Sequence, residues 1–342
     1  MRKASRLAIV TGMNTPTLLI TLGDVAGVGP EIVAKAWPRL FGLARPVVVG
    51  DPDWVRRALD MIGSRAAVQV VDGVRAARPD LDTIPVVRAT RRDLSSVKVG
   101  KVSAAAGGAA YDFLVFAIDE TLARRAAGIV TCPLHKEGLH GAGVAFPGHT
   151  EILAERTGAS SHAMLLYDDD LPLAVAHVTL HMALRAVIGQ VTRESVLDKI
   201  RLLHGIVPRL TGAPARIGVS ALNPHASDGG LFGDEEATVI APAVVAARQE
   251  GIDATGPVAS DAIFLPHNRA KFDGIVAMYH DQGHIAMKLL GGRRAVNVTA
   301  GLPIVRTSVA HGTAYDIAGK GVADESSLVS AVRVAAKLAA AR

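Results

Sequence analysis

Cysteine and long apolar runs are both scarce in this chain of 342 residues. Its one cysteine, Cys132, excludes a disulfide within the chain and fits a reducing compartment, so we expect a cytoplasmic protein with a buried structural thiol. No apolar run reaches the roughly 18–20 residues that a membrane span requires, so we expect no membrane contact. The apolar stretch 7–10 is too short for a signal-peptide core, and we interpret residues 1–16 as a flexible leader.

Aromatic residues make up only 4% of the chain, and the common short site motifs are missing as well. The sequence contains no G-x-G-x-x-G dinucleotide fingerprint, no close-spaced C-x-x-C or H-E-x-x-H metal motif, and no G-x-S-x-G nucleophile elbow. The net charge of +5 comes from dispersed basic residues without interleaved aromatics, so we expect no nucleic-acid partner. The basic excess could instead serve an anionic substrate.

Small apolar residues and glycine are abundant, and short strand-like runs alternate with longer helical stretches. Continuous runs such as 47–49 are typical of strands buried on both faces, as in parallel sheets. With 49% apolar residues this alternation predicts an α/β fold, and the length predicts two lobes because domains typically have about 50–200 residues. The predicted strands are 18–22, 46–49, 68–71, 84–87, 128–131, 164–167, 173–178, 217–222, 274–279 and 296–299, and the predicted helices are 31–43, 104–125, 193–210, 235–249 and 325–341.

Several polar or glycine-rich segments follow predicted strands, which is where open α/β sheets bind their ligands. In the first, 23–31, Asp24 is either a site residue or the capping residue of a glycine-rich turn. In the second, 146–151, Thr150 is expected to cap the helix that follows, and His149 and Thr150 together could hold a phosphate.

Three separated histidines lie in the remaining segments, each near the end of a predicted strand: His181, His225 and His280. If the strand 173–178 continues to His181, then His177 and His181 share one face of it, because side chains alternate along a strand. Neutral imidazole is a good ligand for Zn²⁺, Co²⁺ or Ni²⁺, so the three could share one cation. A lone histidine is more often structural, and the residues by themselves leave both interpretations open.

Charged residues near these histidines suggest further roles. Asp281, Asp261 or Glu151 could orient a ligating imidazole ring. Lys288 and Arg306 could pair with a substrate phosphate or carboxylate, or they could be ordinary surface cations.

Taken in order, these segments resemble the 4-hydroxythreonine-4-phosphate dehydrogenase family of pyridoxal-phosphate biosynthesis, from about residue 18 to about 322. The segments that carry the resemblance are GDVAGVGPE, PGHTE, HVTLHMALR, LNPHASDGG and MYHDQGHIAMK, followed by NVTAGLPIVRTSVAHGTAYDIAGKG. The resemblance implies two Rossmann-like α/β/α lobes with a cleft between them, as in isocitrate and isopropylmalate dehydrogenases. We place the cofactor-side lobe at 17–145 plus 300–342, and the lobe that carries metal, substrate and dimerisation residues at 146–299.

The resemblance also implies an active site that draws on both subunits of a homodimer, with one divalent cation (zinc, magnesium or cobalt) and NAD or NADP as cofactors. It assigns metal binding to His181, His225 and His280. It assigns substrate binding to His149, Thr150, Lys288, Asn297 and Arg306, and proton transfer to Lys288 or Asp261. The end of the last segment is similar to the adenosine-binding loop of isocitrate dehydrogenases, which assigns cofactor binding to His311, Gly312, Thr313, Asp316 and Ile317.

Departures from the family pattern leave the substrate open. Val25 stands where proline is common, whereas His284 and the stretch 134–139 look more like a branch that oxidises 4-phospho-D-threonate or 4-phospho-D-erythronate. A third branch, similar in HVTLH and GVAD, oxidises an aromatic dihydrodiol dicarboxylate, but the GHTE segment kept here suits a phosphate. The resemblance therefore implies metal- and NAD(P)-dependent oxidation of a 4-phosphorylated 3-hydroxy acid with decarboxylation. A two-lobed anion-binding protein and a metal-dependent hydrolase are the rival classes.

Overall fold

The computed structural model describes residues 15–291 and 294–341, so the interpretation of the leader falls almost wholly outside the described residues. Twelve strands in this part of the chain form one sheet, in the order β3-β4-β2-β1-β5-β12-β11-β6-β7-β10-β8-β9. The strands are β1 (Thr17–Thr21), β2 (Arg45–Gly50), β3 (Ala67–Val70), β4 (Thr83–Arg88), β5 (Gly128–Thr131), β6 (Ala163–Asp168), β7 (Leu173–His177), β8 (Ile217–Ser220), β9 (Ala254–Val258), β10 (Gly274–Ala277), β11 (Val296–Ala300) and β12 (Val305–Val309).

Helices connect most of these strands, as parallel pairing requires. They are α1 (Gly29–Leu40), α2 (Pro52–Met61), α3 (Ala104–Leu122), α4 (Lys136–Gly141), α5 (His149–Thr157), α6 (Leu184–Val187), α7 (Arg193–Thr211), α8 (Ala241–Gln249), α9 (Ser260–Ile263), α10 (Pro266–Arg269), α11 (His280–Gly291) and α12 (Ser326–Ala340). Short 3₁₀ turns lie at Val74–Ala76, Ile188–Gln190 and Pro224–Gly230, and a π-helical turn at Glu236–Ile240 precedes α8. None of the helices in the described part is long and apolar enough to cross a membrane.

Two parallel blocks of strands meet in the middle of the sheet. The first block, from β3 to β12, runs in one direction, and the second block, from β7 to β9, runs in the opposite direction. Between them, β11 is antiparallel to both β12 and β6, and β6 is antiparallel to β7. The carboxyl ends within each block therefore share one edge of the sheet. The division into lobes at 17–145 plus 300–342 and 146–299 stays a prediction.

The predicted α/β fold is confirmed, and every predicted strand and helix has an observed counterpart. The prediction missed β9, an edge strand interrupted by Gly256-Pro257, because glycine and proline argue against a strand. It also missed β12, because three consecutive polar residues, Arg306 to Ser308, lie inside this strand although it is fully buried. Strand β7 ends at His177, so it does not continue to His181 and the two histidines do not share a strand face.

Small residues in α3 explain how closely this helix packs. Ser103 accepts a hydrogen bond from the Ala106 amide and caps the helix. A Cβ on Gly107 would lie 2.1 Å from the Gly138 carbonyl carbon, so only glycine lets α3 approach α4. Six residues further along the helix, Phe113 is completely buried in the main apolar cluster. The glycine- and alanine-rich composition therefore reflects tight packing of helices on the sheet.

We predict that Phe113→Ala lowers the free energy of unfolding by about 3–5 kcal/mol, because the missing ring leaves a cavity in a close-packed core. Phe41→Ala is the control, since the Phe41 side chain is 37% exposed. Urea unfolding followed by circular dichroism measures both. Equal midpoints for the two variants would contradict the assignment of Phe113 to the core.

Candidate active site

Two of the three predicted metal ligands meet beyond the carboxyl ends of neighbouring strands β7 and β10. His181 lies four residues after β7, in a loop that is fixed because the Thr179 amide and hydroxyl both donate to the Met278 carbonyl, at 3.1 and 2.9 Å. His280 is the first residue of α11, just after β10. The ring centroids of His181 and His280 are 5.8 Å apart.

A row of imidazoles extends from His280 into the protein interior. The ring of His284 stacks on His280 with centroids 3.8 Å apart and planes inclined by 11°. On its other side, His284 Nδ1 lies 3.1 Å from His177 Nε2 in a buried hydrogen bond. Burial, assisted by neighbouring histidines, lowers the pKa of His177 to about 3 and that of His284 to about 4. Both rings are therefore neutral near pH 7.

The packing of this row depends on glycine at position 283. A Cβ there would lie 2.3 Å from His177 Nε2, so α11 can approach β7 only because Gly283 has no side chain. His280 Nδ1 is 2.7 Å from Asp281 Oδ1, which leaves Nε2 as the ring nitrogen free to bind a ligand. The sequence prediction that Asp281 orients a site histidine fits this contact.

His225, the third predicted ligand, lies apart from this pair. Its ring packs edge-on against Phe232, with centroids 6.1 Å apart. Across residues 15–291 and 294–341, no group of three or more histidine, cysteine, aspartate or glutamate side chains is arranged to hold a metal ion. A single chain therefore offers His181 and His280 together and His225 separately.

The turn that carries His225 has an unusual backbone. Residues 225–229 all have positive φ angles, between 46° and 71°, and only the last of them is glycine. Left-handed backbone costs about 1–2 kcal/mol for each residue with a Cβ, so neighbouring contacts must stabilise the turn.

Glu236 supplies these contacts. It is buried, and its Oε1 accepts the amides of Leu222 and Asn223 at 2.8 and 2.7 Å. Its Oε2 accepts the Asn223 side-chain amide at 3.0 Å and the Ser227 hydroxyl. Although burial alone disfavours the charge, these hydrogen bonds hold the pKa of Glu236 below its ordinary value. Sequence reasoning missed Glu236, because an acidic residue near a helix start resembles an ordinary surface charge.

Arg306 is an almost completely buried cation in the centre of the sheet. Its Nη1 donates to Thr299 Oγ1 at 3.0 Å and its Nη2 to Thr131 Oγ1 at 2.7 Å, whereas its Nε has no partner in the described structure. It forms no ion pair with any described carboxylate, and burial lowers its pKa to about 10. On the adjacent strand, Asn297 also has a buried oxygen without a partner. The Arg306 guanidinium, with its unpartnered Nε donor and its positive charge, is suited to an anion, whereas the Asn297 oxygen is an acceptor suited to a hydroxyl or amine group.

The 146–151 segment lies near this charge. Helix α5 begins at His149 with Gly148 as its N-cap, so the expectation that Thr150 caps the helix is wrong. Burial and the Arg306 charge hold the pKa of His149 well below its ordinary range. The carboxylate of Glu151 acts electrostatically on both Arg306 and His181. The histidine pair and the buried arginine therefore belong to one region of the molecule.

Lys136 also belongs to this region and was not predicted. After burial, its charge makes the largest contribution to the lowered pKa of His181. The stretch 134–139 was noted only as a family variation, and no spacing in the sequence links it to His181. Lys288 of α11 and Asp261 of α9 are exposed.

The predicted cofactor segment, residues 311–317, follows the carboxyl end of β12. His311, Gly312 and Asp316 are exposed, whereas Thr313 is buried and its carbonyl accepts the Val28 amide at 3.0 Å. The segment thus contacts the first glycine-rich segment of the sequence.

We predict that Glu236→Gln lowers the urea midpoint at pH 7, because an amide cannot accept all four hydrogen bonds. The lowered pKa of Glu236 means that its stabilisation is present above the ordinary glutamate pKa of about 4.3 and is lost as the pH falls through its folded-state value. The difference from the unmodified protein should therefore shrink below about pH 4. Glu235→Gln is the control, since Glu235 accepts only the Asn223 side chain. If the difference in urea midpoint between Glu236→Gln and the unmodified protein is independent of pH, the charge of Glu236 does not stabilise the turn.

Comparison with known proteins identifies the family. The model of the pyridoxal phosphate biosynthetic protein PdxA family matches residues 42–335. The chain is 45% identical over 321 residues to 4-hydroxythreonine-4-phosphate dehydrogenase of Beijerinckia indica, covering 94% of each chain. It is 42% identical over 330 residues to D-threonate 4-phosphate dehydrogenase of Cupriavidus necator, covering 96% of this chain and 98% of that one.

A solved structure agrees with this result. The crystal structure of 4-hydroxythreonine-4-phosphate dehydrogenase from Klebsiella pneumoniae superposes with a TM-score of 0.87 at 39% identity, over 95% of this chain and all of that chain. The fold, the order of the segments and the matched length agree, and the chain belongs to the PdxA family of pyridoxal phosphate biosynthetic proteins.

Proposed function

We propose that the protein is an NAD(P)- and divalent-cation-dependent dehydrogenase that oxidises a 4-phosphorylated 3-hydroxy acid, which then loses CO₂. The substrate class follows that named for its relatives, 4-hydroxythreonine 4-phosphate or D-threonate 4-phosphate. The observation that carries the proposal is the buried Arg306 guanidinium, whose hydrogen-bond partners among the described residues are two hydroxyls and no carboxylate. Burying a charge costs several kcal/mol, and the attraction of Glu151 offsets this only in part, because burial still lowers the pKa of Arg306; an anionic substrate would offset the remainder.

The proposed phosphate site combines Arg306 with His149 and Thr150 at the start of α5. A bidentate guanidinium and the free amides of a helix N-terminus both suit phosphate oxygens. Asn297, with its unpartnered buried oxygen, and Lys288 would complete the substrate contacts. Neutral His149 can donate one hydrogen bond without adding a second buried positive charge beside Arg306.

His181 and His280 fit a cation site in part, since their imidazole rings lie close together, but the described residues of a single chain place no third ligand beside them. We propose that His225 of a second copy completes the site. Exposed apolar side chains support such a homodimer, because Leu231 and Phe232 beside His225, and Leu184 and Ile188 beyond His181, are 44–73% exposed. A bound zinc, magnesium or cobalt ion would lower the pKa of the substrate hydroxyl and stabilise negative charge on its oxygen.

The residues of the chain would then orient the substrate and move protons. Lys288 or Asp261 would take the hydroxyl proton, and His311, Gly312, Thr313, Asp316 and Ile317 would hold NAD or NADP, whose nicotinamide accepts the hydride. The polar contacts of Arg306 and His149 at the far end of the substrate would fix the reacting carbon.

The assay that tests the function mixes protein, NAD⁺ or NADP⁺ and one divalent cation with 4-hydroxythreonine 4-phosphate, D-threonate 4-phosphate or D-erythronate 4-phosphate. Reduced cofactor is read by its absorbance and CO₂ release by a coupled assay. D-threonate 4-phosphate is the second candidate, because a relative of that name is 42% identical over nearly the full length. Turnover of only an unphosphorylated dihydrodiol dicarboxylate, or of none of these compounds, would sink the proposal.

We predict that Arg306→Met raises KM for the phosphorylated substrate at least about 100-fold, since a desolvated charge pair with phosphate is lost. The substrate-free variant should be no less stable than the unmodified protein, because the substitution removes a buried charge that has no hydrogen-bonded carboxylate among the described residues. Arg201→Met, which removes an exposed partner of Glu250, is the control and should leave KM unchanged. An unaltered KM in Arg306→Met would argue against phosphate binding there.

We predict that a mixture of His181→Ala and His225→Ala subunits regains activity, although each variant alone is inactive. If the ligands come from two copies, one of the two sites in each mixed dimer keeps all three histidines. A mixture of His181→Ala with His280→Ala is the control, because both of its sites lack one ligand. Activity and bound cation are measured after exchange of subunits, and both should recover to at most half of the values of the unmodified protein. If the mixture of His181→Ala with His225→Ala does not recover, His225 does not come from the second copy.

A further inference from the structure

Asp24 is a completely buried carboxylate to which the proposed mechanism assigns no role. It follows β1, and its Oδ1 accepts the Ala26 amide at 2.9 Å, as expected for a capping residue of a turn. Its Oδ2 accepts a hydrogen bond of 2.7 Å from the hydroxyl of Tyr315, which lies 291 positions later in the sequence. The second contact is not needed for the turn, since Oδ1 alone caps it.

The three strands whose carboxyl ends meet at Asp24 are neighbours in the sheet: β1, β5 and β12. The Asp24 amide donates to the Pro133 carbonyl at 2.8 Å, just beyond β5. This approach requires glycine before it, because Gly23 has a φ of 64° and a Cβ there would lie 2.2 Å from the same carbonyl oxygen. Tyr315, beyond β12, makes the third connection, so Asp24, through its backbone amide and its side chain, joins loops from three adjacent strands.

Tyr315 lies inside the segment 311–317 and is held on two sides. Its hydroxyl donates to Asp24, and its ring stacks on His135 with centroids 5.0 Å apart and planes inclined by 14°. Two residues earlier, the Thr313 carbonyl accepts the Val28 amide at 3.0 Å. The exposed residues of the segment, His311, Gly312 and Asp316, are thus presented by a backbone that is fixed from beneath.

We propose that Asp24 and Tyr315 form a positioning pair that holds the segment 311–317 in the shape that binds the dinucleotide cofactor. This inference rests on the proposed function, because it takes 311–317 as the cofactor segment. Neither residue touches the reacting atoms, and the pair acts through the backbone of the segment. A hydroxyl–carboxylate hydrogen bond suits this role, because loss of the hydroxyl would leave Oδ2 of the fully buried Asp24 without this partner.

The test replaces Tyr315 with phenylalanine, which removes the hydroxyl and keeps the ring on His135. Tyr111→Phe is the matched control, a half-buried tyrosine on α3 outside this contact. Cation-free protein is titrated with NADH by fluorescence, and amide hydrogen exchange of 311–317 is measured without cofactor. For Tyr315→Phe we expect faster exchange in this segment and an NADH Kd raised roughly tenfold. The turnover rate at saturating cofactor should stay within about twofold, since only ground-state binding is affected.

A third variant, His311→Ala, separates failure of this inference from failure of the proposed cofactor site. Suppose that His311→Ala weakens NADH binding and that Tyr315→Phe changes neither the hydrogen exchange of 311–317 nor the NADH affinity. The role of Asp24 and Tyr315 is then contradicted, whereas the assignment of the cofactor segment is supported. If neither variant weakens NADH binding, the assignment of 311–317 as the cofactor segment is contradicted, and so is the proposed role of Asp24 and Tyr315. Equal effects of Tyr315→Phe and Tyr111→Phe would also overturn the pair, because they would show a general loss of stability.

Discussion

Arg306 places a positive charge where the two halves of the sheet meet. Its strand, β12, ends the first parallel block, and its guanidinium reaches hydroxyls on β5 and β11, the strands on either side. Neutral hydroxyls satisfy two donors of a guanidinium but do not neutralise its charge. Among the described residues this charge is met by the two hydroxyls and by the electrostatic attraction of Glu151, and burial together with the Arg306 charge holds the pKa of neighbouring His149 well below its ordinary range.

The buried histidines, unlike Arg306, carry no charge that needs a partner. His177 and His284 are buried, pair with each other through one hydrogen bond and stay neutral, so they can pack behind His280 without any countercharge. His280 and His181, at the open end of the row, keep a ring nitrogen available. Burial thus divides four imidazoles into an inner structural pair and an outer pair suited to a cation.

Two buried carboxylates, Glu236 and Asp24, hold the turn of His225 and the segment 311–317 through hydrogen bonds. Glu236 gathers backbone amides and a hydroxyl around the left-handed turn of His225, and Asp24 gathers a backbone amide and the Tyr315 hydroxyl beneath residues 311–317. In each case a buried carboxylate is tolerated because hydrogen-bond donors surround it. Rigid positioning of loops by buried carboxylates is a common requirement where a site is assembled from distant parts of the chain.

The sequence predicts the α/β class, the positions of ten of the twelve strands and the segments that carry polar candidate site residues, because apolar periodicity and glycine-rich turns are local properties. It could not show which histidines lie together: His181 and His280 are close only because β7 and β10 are neighbours, and His225 is separate from them. Nor could it identify β12, Lys136 or Glu236, whose surroundings come from residues distant along the chain. Only the tertiary structure decided which charges are buried and which partners they have, because desolvation and hydrogen bonding depend on the packed environment and not on spacing in sequence.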